Sequence, residues 1–110
     1  MGGRIMNEKT ASQKGQKEIR INFPVNLQGG FYSNFLRVSH TREEFILDFM
    51  MVHEAMGTVI SRVIMSPGHM KRAVSVLQDN LKKYEDKIAT IQEAPKPKGR
   101  IGFPMSSQPS

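Results

Sequence analysis

Apolar and polar residues first alternate at residues 18–24 (EIRINFP), where Ile19, Ile21 and Phe23 fall on one side and Arg20 and Asn22 on the other. A period of two is the pattern of a half-buried strand, and Pro24, which cannot donate to a ladder, closes it. Gly29-Gly30 permits a reversal. Three further segments rich in β-branched and aromatic residues follow, at 31–40, 44–52 and 57–65, so four strands are expected. Ser66-Pro67 then supplies a serine N-cap and a proline at the first helical position. Beyond it Met70, Val74, Leu77, Leu81, Tyr84, Ile88 and Ile91 recur alternately four and three residues apart, which keeps one apolar seam along a helix. Continued to about Glu93, that helix is roughly 40 Å long against roughly 27 Å for the strands, and its end should overhang the sheet.

The turn at His40-Thr41-Arg42-Glu43-Glu44 sets the register of the central hairpin. An even-length loop pairs His40 with Phe45, and places Arg37 opposite Asp48, Val38 opposite Leu47 and Leu36 opposite Phe49. Thr41-x-x-Glu44 has the form of a capping box, but only one helical turn fits before the strand resumes, so a type I turn is expected. One face then carries Tyr32, Leu36, Val38, Phe45, Leu47, Phe49 and Met51. The other carries Phe31, Phe35, Ile46, Met50 and Val52, with Arg37 and Asp48 as a structural pair among them. A single helix covers one face only. Another subunit or a partner is expected over the second, with the N-terminal arm as the alternative cover.

The fold expected is therefore α+β: an antiparallel meander of about four strands followed by one long C-terminal helix. The domain spans 18–94, between a flexible basic arm at 1–17 and a flexible Pro-rich basic tail at 95–110. The net charge of +6 suggests a polyanionic partner until it is located. Residues 1–17 hold four basic and one acidic residue, 95–110 hold three basic and none acidic, and 18–94 hold nine of each. The excess belongs to the ends, so nucleic acid is a less favoured partner for the domain itself. No apolar run of about 18 residues is present, so no membrane span is expected and a cytoplasmic location is inferred. The absence of cysteine removes disulfides, thiolate metal sites and a cysteine nucleophile.

Several stretches resemble a family catalogued as domain of unknown function 3467, found in bacteria and archaea. These are Gly30-Phe31-Tyr32-Ser33-Asn34-Phe35, Arg37-Val38-Ser39-His40-Thr41, Glu44-Phe45, Leu47-Asp48-Phe49, Ser61-Arg62-Val63, and Ser66-Pro67-Gly68-His69 with Lys71. The resemblance runs roughly from residue 30 to residue 84 and leaves both arms outside. It implies no activity, because the family is uncharacterised.

Asn34, Arg37, His40, Glu44 and Asp48 bring an imidazole, a guanidinium and carboxylates into one ribbon, which is the inventory of an acid–base site. Beside a tight turn and in a cross-strand pair they make hairpin ion pairs without a pocket, and no catalytic residue is assigned. His40, His53 and His69 are 13 and 16 residues apart, which fits no motif with two metal ligands on one helix face, so no metal or cofactor is expected. Gly29-Gly30 lacks the context of a phosphate-binding loop. Met50, Met51, Met56, Met65 and Met70 fall around one end of the sheet, where flexible, polarisable side chains fill core gaps or contact varied apolar ligands.

The functional expectation is a non-enzymatic adaptor or chaperone-like module acting as a dimer or tetramer. Phe31, Phe35, Ile46, Met50, Leu81, Tyr84 and Ile88 form its partner or oligomer surface. Its order of elements resembles that of the export chaperone SecB, a likeness of architecture alone. The alternative is a single-stranded nucleic-acid binder of the Pur-alpha or Whirly type, with Phe31, Tyr32 and Phe35 stacking on bases.

Overall fold

A computed structural model describes residues 17–103, which fall into two compact units divided after Gly30. The expected N-terminal arm, Lys17 apart, lies outside the described residues, as do the last seven residues of the tail.

In residues 17–30 the expected first strand is absent. Residues 18–24 take no strand conformation, and Ile19 and Ile21 are exposed. Alternation prepares a chain for a ladder, but a strand exists only where a neighbour supplies its hydrogen bonds, and here none does among the described residues. Pro24 is extended (φ −57°, ψ 140°) and leads into a 3-10 turn at Val25–Leu27. Gly30, at φ 71°, donates its N–H to Leu27 O at 3.1 Å and completes the reversal.

Residues 31–103 hold a three-stranded antiparallel sheet, β1 (Phe35–His40), β2 (Phe45–His53) and β3 (Met56–Met65) in the order β1-β2-β3, followed by helix α1 (Pro67–Lys87). The β1–β2 register pairs His40 with Phe45, Arg37 with Asp48 and Leu36 with Phe49, as expected for an even loop. Thr41 closes that loop. Its N–H donates to Glu44 O at 2.9 Å, and its hydroxyl accepts from the amides of Glu43 and Glu44 at 3.2 Å. The His40 and Phe45 rings lie 5.4 Å apart across the pair.

The second hairpin turns on Glu54-Ala55, with Glu54 at φ 55°, a conformation that glycine adopts more readily. Between β2 and β3 the register shifts once. Phe49 pairs with Ser61 and Met50 with Val59, which leaves Ile60 as a bulge. β1 begins at Phe35 rather than Phe31, and Asn34 before it is tied to β2 both by its backbone N–H, which donates to Met50 O at 3.0 Å, and by its side chain. Asn34 mimics a peptide there: its amide nitrogen donates to Val52 O at 2.9 Å and its amide oxygen accepts from Val52 N–H at 2.8 Å.

Among the described residues, only those of the central strand are buried. Ile46, Leu47 and Met50 are the core, with Asp48 among them. Helix α1 starts as expected, with Ser66 Oγ accepting from His69 N–H at 3.2 Å. It ends at Lys87, short of Glu93, and Ile91 N–H instead donates to the Glu85 carboxylate at 3.1 Å. The β-branched residues Ile88, Thr90 and Ile91 extend a helix poorly. No residue of α1 is buried, and extended contact between elements is confined to the two strand pairs.

Candidate functional site

Asp48 is fully enclosed on β2, where a lone carboxylate would be costly. It is held by Arg62 of β3, whose Nε donates to Oδ1 at 2.6 Å and whose Nη2 donates to Oδ2 at 2.9 Å, a bidentate fork. These hydrogen bonds lower the Asp48 pKa and outweigh the opposing effect of burial; the positive charges of Arg62 and Arg37 lower it further.

The expected pairing of Arg37 with Asp48 holds at the level of register, and the Arg37 charge acts on the carboxylate. The carboxylate's two hydrogen bonds from Arg62 nevertheless come from the other neighbouring strand. The Arg37 guanidinium turns to the aromatic ring of Phe103, with its central carbon 4.0 Å from the ring centroid. Its Nη1 and the nearby Ser39 Oγ are buried without a hydrogen-bond partner among the described residues.

Phe103 belongs to a segment that lies along this face. Residues 98–103 line a groove with Met50, Val52, Met56 and Val59, and Ala94, Pro95 and Pro97 line another with Asn34 and Val52. The face expected to await a subunit or the N-terminal arm is therefore occupied in part by the C-terminal segment. The geometry permits it: α1 spans about 32 Å, and the 16 residues from Ile88 to Phe103 reach about 50 Å when extended.

The residues expected to form a partner surface are divided accordingly. Phe35, Ile46 and Met50 come together on the covered face, with Ile46 and Met50 only 8% and 4% exposed. Phe31 is exposed and lies outside the strands, while Leu81, Tyr84 and Ile88 are exposed along and just beyond α1. Among the described residues of 31–103, two apolar surfaces remain open. One is the other face of the sheet, where Leu36, Val38 and Val63 are exposed around the buried Leu47; the second is the helix seam. Sequence reasoning missed Arg62 and Phe103.

Chemically this arrangement braces the sheet. With no exposure, Asp48 offers no lone pair to a solute, and His40 stands beside the turn against Phe45. Among the described residues no three His, Asp or Glu side chains gather as metal ligands, and no helix is long and apolar enough to cross a membrane.

No curated protein and no solved structure matches the chain. A family pattern does match, over residues 6–93, so it takes in most of the N-terminal arm that the resemblance had left outside and stops just before the segment that covers the sheet. The chain belongs to the family described as "Protein of unknown function (DUF3467)".

Proposed function

We propose that this protein is a non-enzymatic, oligomeric protein-binding module, adaptor or chaperone-like, that works through apolar surface. The observation that carries the reading is the uncovered sheet face bearing Leu36, Val38 and Val63, together with a 21-residue helix that buries none of its apolar seam. A domain this small gains little from leaving such residues in water, and contiguous apolar patches mark contact sites. Asn34 and Asp48 of the hairpin are meanwhile engaged in bracing it, which supports a binding role over a catalytic one.

The test is suppression of aggregation of a chemically unfolded client protein, followed by light scattering. The wild-type chain lowers the scattering, and Val38→Lys, which puts a charge on the open face, loses most of that effect while unfolding at the same urea concentration. The rival reading rests on exposed Phe31 and Tyr32 and on Lys96, Lys98 and Arg100. Salt-sensitive binding of an oligothymidylate, with no effect on the client, would replace the first reading by the second.

A further inference from the structure

The helix seam points to one occupant. Met70, Val74, Leu77, Leu81 and Tyr84 keep a four-three spacing along α1, with Ile88 at its C-cap, and Leu77 and Leu81 are 67% and 52% exposed. A helix of this length is marginal in water without a packed face. In heptad terms Val74, Leu81 and Ile88 occupy a, and Met70, Leu77 and Tyr84 occupy d, so Lys71, Gln78 and Glu85 fall at e and Ala73, Asn80 and Lys87 at g.

These flanking residues choose an orientation. A parallel pair sets g against e of the partner, giving Ala73 with Gln78 and Asn80 with Glu85, with no opposite charges. An antiparallel pair sets e against e and g against g. When Leu77 of one copy lies opposite Leu81 of the other, Val74 meets Tyr84 and Met70 meets Ile88. That register also brings Lys71 to Glu85 twice by symmetry, Gln78 to itself and Asn80 to itself. No like charges meet at these positions. The groove that Phe45, Pro67, Met70 and Val74 line at the helix start then faces the partner's C-terminal turn.

We infer that α1 pairs with α1 of a second copy as an antiparallel, two-fold symmetric helix pair centred on Leu77 and Leu81. This rests on the oligomeric reading above and specifies the face that joins the copies, which leaves the sheet face carrying Val38 free for clients.

The test uses the full chain. Sedimentation gives a dimer for the wild type and a monomer for Leu77→Glu and Leu81→Glu, whose cooperative unfolding shows that the sheet still folds. Lys71→Glu and Glu85→Lys each weaken the dimer roughly tenfold, and the double variant restores it. Because the chain has no cysteine, single cysteines report geometry. Gln78→Cys, close to the two-fold axis, cross-links to its counterpart, whereas Val74→Cys does not, since the two copies of that residue lie about 15 Å apart along the axis. A monomeric wild type, cross-linking at residue 74 but not at 78, or a dimer indifferent to Leu77→Glu would each overturn the inference. The last outcome leaves the oligomeric reading standing on another face, and loss of client protection in an intact dimer overturns only the proposed function.

Discussion

Asp48 must be protonated before the sheet loses its central ion pair, and this makes stability depend on acid in a predictable direction. Its folded pKa lies below the ordinary 3.8, chiefly through the Arg62 hydrogen bonds, so the unfolded chain binds the proton more readily. The contribution is fully present above the unfolded value, at neutral pH, and is lost as pH falls through the lowered folded one. Urea midpoints measured from pH 7 down to pH 2 should therefore fall in the acid range, and Asp48→Asn should flatten that fall while lowering the neutral-pH midpoint. Asp48→Ala costs on the order of 2 kcal/mol, because Arg62 still reaches water. Arg62→Ala costs more, since it strands an enclosed carboxylate. Arg62→Lys should recover little, because an ammonium lacks the fork that matches both oxygens.

The elements differ in how far they could be read from the chain, and the reason is the range of the interactions that define them. The β1–β2 hairpin and the start of α1 depend on neighbours within a few residues, namely the Thr41 turn and the Ser66-Pro67 cap, and both are legible. The partner of Asp48 is not. Counted regularly from the Glu54-Ala55 turn, Asp48 falls opposite Ser61, and Arg62 falls opposite Leu47 on the wrong face; the bulge at Ile60 moves Arg62 into place. Residues 18–24 alternate as a strand should, yet alternation supplies no ladder partner. Asn34 shows the converse, a polar residue in an apolar ribbon whose function is structural. Asn34→Ala removes both of its hydrogen bonds to Val52 and keeps its backbone bond to Met50 O, so the ladder from Phe35 onward stays and only the clamp beyond it is lost. A loss of about 1 kcal/mol is expected, with faster hydrogen exchange at the Val52 amide as the site-specific readout. Unchanged exchange there would mean that the side-chain bridge does not hold the strand end.

Across residues 31–103, a sheet of three strands lacks the thickness to bury both of its faces, and the chain treats the two differently. The face with Phe35, Asp48 and Met50 is covered in part by residues 94–103, with Ile64 at its far end still exposed, and the face with Leu36 and Val38 has no such segment over it among the described residues. Closure had no local signal, because Phe103 meets Arg37 across 66 positions of sequence and a Pro-rich basic tail reads as a solvated end. If the segment serves as cover, a chain ending at Glu93 should expose Met50 and Phe35, bind more of an apolar dye such as anilinonaphthalene sulfonate, and unfold at lower urea. Phe103→Ala isolates one contact within that cover. Losing the ring over the guanidinium costs about 1 kcal/mol and leaves Arg37, already short of one hydrogen-bond partner, facing water. Phe103→Leu keeps apolar bulk but not the ring's negative face, so it should recover the dye exclusion while leaving part of the stability loss. Equal stability and dye binding in the truncated and full-length chains would show that the sheet does not need its C-terminal cover.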